Sequence, residues 1–195
     1  MRFARPAVAI SLALLLGACA TLQQFAALRD VDFSVERLSG VRLAGVDLSR
    51  VRSYSQLSVT EAARLASAVS QRALPLDFTV HLEALNPQDN SVDARLLRMD
   101  WTLLLQDRET LSGTFADETL LRRGQPTDVP IDVSVDLLDF FQGSAQDLFN
   151  LALSVADPTR PPTEVSLRAT PTVDTALGPI RYPQPITIVN RDVGG

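Results

Sequence analysis

The sequence predicts a mainly β protein, an antiparallel β-sandwich with two short inserted helices. Apolar and polar residues alternate with a period of two in about seven short stretches, which is the pattern of half-buried strands. Turn-forming clusters separate these stretches, and only two stretches have helical spacing. Apolar residues make up 46% and charged residues 21% of the 195 positions. Such a chain builds one ordinary core without disulfides, and its single cysteine permits none within the chain.

The first predicted strand begins at Val31, where apolar and polar side chains alternate through residue 36. The segments Gly40-Val41-Arg42-Leu43 and Gly45-Val46-Asp47-Leu48 then repeat at five residues, which predicts a bulge or bend near Gly45. Ser58-Val59-Thr60-Glu61 has capping-box spacing. It therefore predicts a helix over residues 58–72, which Pro75 ends.

Strands are predicted next over residues 76–84, 97–105, 111–121 and 129–137. In the second of these, Leu97, Met99, Trp101, Leu103 and Leu105 share one face, so Trp101 is predicted to anchor the core. The opposite face carries Leu104. The residues at 129–137 give the cleanest alternation of the chain, and a polar turn around Gly124 and Pro126 precedes them.

The second helix is predicted to begin after Ser144, a suitable N-cap, because apolar residues follow on one helical face. They are Leu148, Leu151, Ala152 and Val155. A proline-rich loop at 157–162 follows, then a strand around Val165–Ala169 and a last one over 185–190. The Phe140-Phe141 pair and the outward Leu104 either cover the helices or leave an apolar surface for a partner or acyl chain.

The amino terminus has the pattern of an export signal. Arg2 and Arg5 precede an apolar run over residues 7–16, and Leu16-Gly17-Ala18-Cys19 forms a small-residue cleavage site that ends in cysteine. This site resembles the lipobox of bacterial lipoproteins, and the resemblance implies cleavage before Cys19 and acylation of its thiol and new amino group. An uncleaved transmembrane helix, for which the run is short, and an ordinary secretory signal are the alternatives.

This resemblance divides the chain into a signal peptide (1–18), a lipid-anchored tether (19–30), a folded domain (31–190) and a tail (191–195). By the enterobacterial sorting rule, Ala20 in place of an aspartate implies the outer membrane, with the domain facing the periplasm. Removing residues 1–18 takes away two arginines and no acid, which leaves a net charge of −7. A chain this negative is expected to meet the membrane through its anchor rather than its surface.

Charge and residue usage exclude several functions. All 18 basic residues are arginines, so no lysine is available for a Schiff base or a P-loop. The net charge of −5 opposes binding to nucleic acid, and Arg122-Arg123 is too small a basic patch to change that. We expect no catalytic residue, no metal and no cofactor.

Four other titratable side chains are candidates for chemistry, and each has a plain structural interpretation. His81, the only histidine, falls on the polar face of its strand, where a solvent-facing imidazole is expected rather than a general base. Asp132 and Asp136 share a face and are expected to be solvated acids rather than a calcium site. Asp174 begins an Asp-Thr-Ala that lacks the glycine of aspartic proteases, so a protease would require two copies of the chain.

Three segments together resemble the type 2 late embryogenesis abundant (LEA) family, whose module is also called the WHy domain, for water stress and hypersensitive response. They are Leu85-Asn86-Pro87-Gln88-Asp89-Asn90, Val129-Pro130-Ile131-Asp132-Val133-Ser134-Val135 and Leu177-Gly178-Pro179-Ile180-Arg181-Tyr182-Pro183. The resemblance covers residues 33–189, with the two helices as insertions relative to the plainest members.

The resemblance implies a fibronectin-III or immunoglobulin-like sandwich and a non-enzymatic role in desiccation or envelope stress. Asn86 and Pro87 match the first two positions of the family's Asn-Pro-Asn turn, and Gln88 departs from the third. We interpret Asn86, Pro87 and Asn90 as a structural turn motif, in which the Asn86 side chain bonds nearby backbone amides and Pro87 fixes φ.

Two classes of function follow. In the first, a membrane-tethered stress module acts through its surface on envelope components or a protein partner. In the alternative, the protein is a carrier or accessory protein that holds a lipid or other apolar ligand. An elongated apolar pocket of about 300 Å³ or more under the second helix would favour the carrier.

Overall fold

The computed structural model of the chain describes residues 31–90, 92–156, 165–174 and 178–189. The predicted signal peptide, Cys19 with its predicted tether, and the tail at 191–195 lie outside the described residues. Within them the chain forms ten strands and three α-helices. These are β1 (Asp32–Leu43), β2 (Val46–Asp47), α1 (Val59–Ser70), β3 (Pro75–Leu85), β4 (Ala94–Leu105), β5 (Arg108–Phe115), β6 (Thr119–Leu121), β7 (Pro126–Asp136), α2 (Leu137–Phe140), α3 (Ala145–Ala156), β8 (Val165–Asp174), β9 (Ile180–Arg181) and β10 (Ile186–Ile188).

The strands form two antiparallel sheets, which confirms the predicted mainly β fold. The first sheet has the order β2-β1-β3-β7. The second sheet has the order β10-β8-β4-β5, and β6 and β9 extend it by pairing with β4 and β8. Near the sheet edges, the backbone N–H of Val35 in β1 donates to the Val189 carbonyl just after β10, at 3.1 Å.

The inward faces of the two sheets form one hydrophobic core. Alternate residues of β3 and β7 are almost fully buried, as their period of two predicts. They are Leu76, Phe78, Val80, Leu82 and Ala84 in β3, and Val129, Ile131, Val133 and Val135 in β7. Burying a side chain of this size contributes about 1.5–3 kcal/mol, so this pattern also fixes which face of each strand points inward.

Strand β4 departs from the predicted pattern at both ends. The pairing of β4 with β8 shifts between Leu96 and Arg98, and this bulge turns Leu96 into the core and leaves Leu97 half-buried. The prediction that Leu97 is a core residue was therefore wrong by one position. Leu104, predicted to face outward, is buried to 8% exposure but does not belong to the core cluster that contains Leu103 and Leu105. A second register shift, against β5, lies between Leu103 and Leu104.

The predicted bend at Gly45 is a tight hairpin turn between β1 and β2. Leu43 pairs with Val46, and the two residues between them, Ala44 and Gly45, have φ angles of 46° and 77°. Two positive φ angles define a two-residue turn of the kind that matches strand twist. The bulges of β1 lie elsewhere, between Val35 and Arg37 and between Ser39 and Arg42.

The segment 111–121 forms two strands rather than one. The chain leaves β5 after Phe115 and returns as β6, and both strands pair with β4. The predicted turn around Gly124 and Pro126 is shorter than the sequence suggests, because β7 already begins at Pro126.

Helix α1 begins where the capping box predicts. The Ser58 hydroxyl oxygen accepts a hydrogen bond from the Glu61 backbone N–H at 3.3 Å, and the Glu61 carboxylate accepts from the Ser58 backbone N–H at 2.8 Å. These two bonds satisfy donors that the first turn of a helix otherwise leaves unpaired.

We expect Ser58→Ala to lower the free energy of unfolding by about 0.5–2 kcal/mol, because it removes the acceptor of the cap. Urea denaturation followed by circular dichroism measures the change. Ser55→Ala, in the short 3₁₀ turn just before the helix, is the control and should change the midpoint little. An unchanged midpoint in Ser58→Ala would show that the cap does not stabilise the domain.

Helix α3 also begins with a reciprocal cap, as predicted, in which Ser144 pairs with Asp147. Its apolar face packs inward, and the Phe149 ring meets the ring of Tyr54 edge to face with 5.3 Å between centroids. The Phe140-Phe141 pair covers the core rather than leaving an apolar surface, since Phe141 is 8% exposed. Among the described helices, none has both the length and the apolar character of a bilayer span.

Candidate functional site

A polar groove of about 520 Å³ lies on the outer face of the second sheet. We call it the arginine groove because three arginines line it, Arg98 from β4, Arg168 from β8 and Arg181 from β9. Most of the other lining side chains are polar. They are Asp100, Thr102, Ser112, Thr114 and Thr170, and Trp101, Gly113 and Pro185 complete the lining.

The strand register explains why these side chains meet. Asp100 of β4 pairs directly with Thr114 of β5 on one side and with Thr170 of β8 on the other. Thr102 likewise lies between Ser112 and Arg168. Directly paired residues have Cβ atoms about 4.5–5.5 Å apart on one face, so a continuous polar surface runs across three strands.

Asp100 is the centre of the hydrogen bonds in the groove. Its Oδ1 accepts from the Thr114 hydroxyl at 2.8 Å and from Arg98 Nε at 2.9 Å, and its Oδ2 accepts from Arg181 Nη1 at 2.6 Å. The Thr102 and Ser112 hydroxyls bond to each other at 2.8 Å. Arg168 forms an ion pair with Glu109 at the margin of the groove.

The groove is locally positive although the chain as a whole is negative. Its three guanidinium groups face one lining carboxylate, that of Asp100. Hydrogen bonds from Thr114 and Arg98, followed by Arg181, hold the pKa of Asp100 below its usual value. The arginine side chains remain 45–58% exposed, so their ion pairs are solvated and exchange readily.

The lowered pKa predicts a pH dependence of stability. Asp100 binds a proton less readily in the folded than in the unfolded chain, so its stabilising contribution is fully present above its usual pKa of 3.8. The contribution is lost as the pH falls below that value through the folded-state pKa. Between pH 5 and pH 3, roughly, the urea midpoint should fall more in the wild type than in Asp100→Asn. Parallel slopes for the two proteins would contradict the prediction.

A second polar cluster lies on the outer face of the first sheet, around His81. The Ser39 hydroxyl lies 2.8 Å from His81 Nε2, and the Asp128 carboxylate oxygens lie 2.9 and 3.0 Å from Nδ1. The imidazole is 13% exposed, so the prediction of a solvent-facing ring was wrong. The neighbouring strands β1 and β7 cover it with these side chains.

The hydrogen bonds connect Ser39 to His81 and His81 to Asp128, as in the triad of a serine hydrolase. Arg37, however, changes the chemistry of this cluster. Arg37 Nη2 lies 3.0 Å from the same His81 Nδ1 that faces Asp128, so a donor-only and an acceptor-only group compete for one ring nitrogen. A triad also develops positive charge on the ring, which an adjacent guanidinium opposes. The Asp128 and Arg37 side chains are 45% and 49% exposed, whereas the aspartate of a triad is buried. This arrangement is that of a cross-strand polar network.

The turn motif lies at one end of the second sheet, beside β6. Asn86 is fully buried, and its side-chain NH₂ donates to the backbone carbonyls of Val92 at 3.2 Å and Leu121 at 3.0 Å. Its Oδ1 accepts from the Asn90 side chain, and its own carbonyl accepts from the Gly124 N–H at 2.7 Å. The Asn86 side chain thus bonds backbone carbonyls rather than the backbone amides that the sequence suggested.

The remaining aspartates have separate structural positions. Asp132 accepts from the Thr79 hydroxyl at 2.7 Å. Asp136 caps α2 and accepts from the Leu74 N–H at 3.0 Å, so it is not the solvated acid that was predicted. Asp174 ends β8 opposite Arg95, and residues 175–177 of its motif lie outside the described part. In the described residues no group of three or more His, Cys, Asp or Glu side chains is placed to hold a metal ion.

Arg123 belongs to the same turn structure as Asn86. Its backbone N–H donates to Asp93 at 3.1 Å, and its guanidinium donates to the Asn90 carbonyl at 3.1 Å. Arg123 therefore helps to close a turn.

Sequence reasoning did not find the arginine groove. The alternation of Arg98, Asp100 and Thr102 marks one polar face of β4, which was visible in the sequence. The partners from β8 and β9 lie about 70 to 80 residues later in the chain, and only the strand pairing brings them to that face.

Fold and site together define a class, an antiparallel β-sandwich with a polar, positively charged groove on one outer face. No family model matches the chain, and no curated protein matches it in sequence.

Several solved structures are similar to the chain. A candidate late embryogenesis abundant protein, solved in solution, is 14% identical with a TM-score of 0.37, covering 94% of this chain and 86% of that one. A candidate ApaA protein from Bordetella pertussis is 13% identical with a TM-score of 0.33, covering 84% and 97%. A protein from Archaeoglobus fulgidus is 8% identical with a TM-score of 0.31, covering 60% and 86%. Scores of this size carry no conclusion about activity.

Proposed function

We propose that this protein is a non-enzymatic, LEA type 2-like lipoprotein that is anchored to the outer membrane and acts through its surface in desiccation or envelope stress. The lipobox at Cys19 supports the anchor and the periplasmic location. The three segments that resemble the WHy domain support the role in stress. The packing of α3 supports action through the surface.

That packing is the observation that carries the proposal. A carrier for an apolar ligand needs apolar space between the sheets and α3. The inward face of α3 carries apolar side chains that are almost fully buried, which supports a packed interior rather than an open apolar pocket. They are Leu148, Phe149, Ala152, Leu153 and Val155. The groove on the outer face is instead polar, which suits a water-soluble ligand or a charged partner.

The anchor is tested by the location of the protein in cells. We expect the wild type in the outer-membrane fraction, labelled when cells grow with a clickable palmitate analogue. Cys19→Ala should lose the label and leave that fraction. Cys19→Ser, which keeps the size of the side chain but has no thiol, should behave in the same way. An unlabelled wild type that is released by osmotic shock would overturn the lipoprotein proposal.

The absence of enzyme activity is tested at Ser39, which has the hydrogen-bond pattern closest to a nucleophile. A fluorophosphonate probe reacts with activated serines, and we expect no labelling of the folded protein above that of Ser39→Ala. Labelling that disappears in both Ser39→Ala and His81→Gln would overturn the non-enzymatic proposal.

The role in stress is tested by drying and rehydrating a deletion strain beside its parent. We expect lower survival of the deletion strain and rescue by the wild-type gene, with weaker rescue by Cys19→Ala. Equal survival of the deletion strain and its parent would remove the stress hypothesis.

A further inference from the structure

The internal ion pairs of the arginine groove indicate the chemistry that it recognises. One carboxylate, that of Asp100, accepts from both Arg98 and Arg181, so these guanidinium groups are oriented toward a common point. Guanidinium groups bind carboxylates and phosphates through two parallel hydrogen bonds. Because these pairs are exposed, an external anion competes with them at small cost.

Arg168 extends the positive charge along the sheet. It lies beside Thr102 in the register, on the strand next to β4, and its present partner is Glu109 at the margin. The ion pair with Glu109 is half-exposed at both ends. A ligand anion above β8 therefore has Arg168 on one side and Arg181 on the other.

The floor of the groove supplies neutral hydrogen-bonding groups between these charges. The Thr102 and Ser112 hydroxyls bond to each other, which leaves each oxygen with further hydrogen-bonding capacity toward the solvent side. Thr170 lies in the next strand on the same face. A row of hydroxyls that both donate and accept matches a ligand with hydroxyls of its own.

The volume excludes the smallest anions as the complete ligand. At about 520 Å³ the groove lies within the range of about 300–1,000 Å³ that is typical of small-molecule sites. An inorganic phosphate reaches one guanidinium cluster and leaves the hydroxyl row unused. A sugar with one anionic substituent fills both parts.

We propose that the arginine groove binds an acidic saccharide, a sugar unit that carries a phosphate or carboxylate group. Arg168 and Arg181 bind the anionic group, and the Thr102 and Ser112 hydroxyls bind the hydroxyls of the sugar. The inference rests on the proposed function in one respect, that the protein acts through its surface.

Equilibrium dialysis of the full-length protein in detergent tests the proposal, with radiolabelled glucose 6-phosphate and glucuronate as probes and glucose as the neutral control. We expect saturable binding of both acidic sugars and at least tenfold weaker binding of glucose. Inorganic phosphate should compete at least tenfold less well than glucose 6-phosphate. Raising the salt concentration should weaken the binding, since the contacts are ionic.

Variants assign the binding to the groove. Arg168→Gln and Arg181→Gln should each weaken binding of the acidic sugars at least fivefold, and Thr102→Val should weaken it by removing a hydroxyl at constant shape. Arg95→Gln is the matched control. Arg95 is also an exposed arginine of the second sheet, but it lies in β4 outside the groove and forms an ion pair with Glu118. Arg95→Gln should leave binding unchanged. Circular dichroism melts confirm that all four variants are folded.

Trp101, the only tryptophan of the chain, provides a second readout at the groove. Binding in the groove should shift its fluorescence in the wild type and in Arg95→Gln, and the shift should be lost in Arg168→Gln.

Three results would overturn the proposal. They are no binding of either acidic sugar at millimolar concentration, equal binding of glucose, and unchanged binding in Arg168→Gln and Arg181→Gln. If inorganic phosphate competes as well as glucose 6-phosphate, the groove binds an anion and the proposal that its ligand is a saccharide is wrong. The dialysis requires neither anchor nor stress, so failure of the proposed function in cells is distinguishable from failure of this binding site.

Discussion

Replacing Trp101 with alanine is expected to lower the free energy of unfolding by about 3–5 kcal/mol, the range for truncating a large buried aromatic side chain. Trp101 is 6% exposed, in the middle of β4, between Gly113 of β5 and Ala169 of β8. Its ring lies over Gly113 so closely that a Cβ at that position would be 2.4 Å from a ring carbon. Alanine therefore leaves a cavity at the centre of the second sheet.

Urea denaturation followed by circular dichroism measures this loss, because no tryptophan remains to report by fluorescence. Trp101→Phe keeps an aromatic ring in the core and should lose clearly less. Gly113→Val tests the same contact from the other strand, since its side chain meets the indole, and it should also destabilise the fold. A loss below about 1 kcal/mol in Trp101→Ala would show that this ring does not anchor the core.

The second large effect is expected at Asn86. Asn86→Ala should lower the free energy of unfolding on the order of 3 kcal/mol, because each polar group left unpaired in a buried position costs about 1–3 kcal/mol. The Leu121 carbonyl and the Asn90 side chain lose a partner in buried surroundings, and the Val92 carbonyl loses one in partly buried surroundings.

Asn86→Asp separates the two halves of this network. It keeps an oxygen toward Asn90 and removes both side-chain donors, so its loss shows what the bonds to the Val92 and Leu121 carbonyls contribute. Amide hydrogen exchange gives a local readout, and we expect faster exchange of the Gly124 N–H in both variants. Exchange and urea midpoints equal to those of the wild type would mean that the turn does not depend on Asn86.

The regular elements were largely predictable because their signals are local. The capping box at Ser58 and the cap at Ser144 set the beginnings of two helices, and the alternation through β7 set its inward face. The error at Leu97 has one cause. A bulge adds a residue to one strand and reverses the faces beyond it, and its position depends on the partner strand.

The site residues also divide into those that a local sequence signal reveals and those that only the strand pairing brings together. Asn86 and Pro87 stood out because Asn-Pro in a polar cluster is a local turn signal. The environment of His81 did not, since Ser39 and Asp128 come from strands 42 and 47 residues away. Residue types alone gave no reason to place them around one ring.

The sequence by itself determined the class of fold, the positions of the two longer helices and the inward face of most strands, because apolar periodicity and capping act within a few residues. It also contains the segment Leu16-Gly17-Ala18-Cys19, which resembles a lipobox and is read from consecutive residues. Only the tertiary structure decided that Arg98, Arg168 and Arg181 share a groove and that His81 lies between Ser39 and Asp128. A period of two specifies which side of a strand is polar, whereas strand order and register, set by packing of the whole core, decide which polar side chains become neighbours.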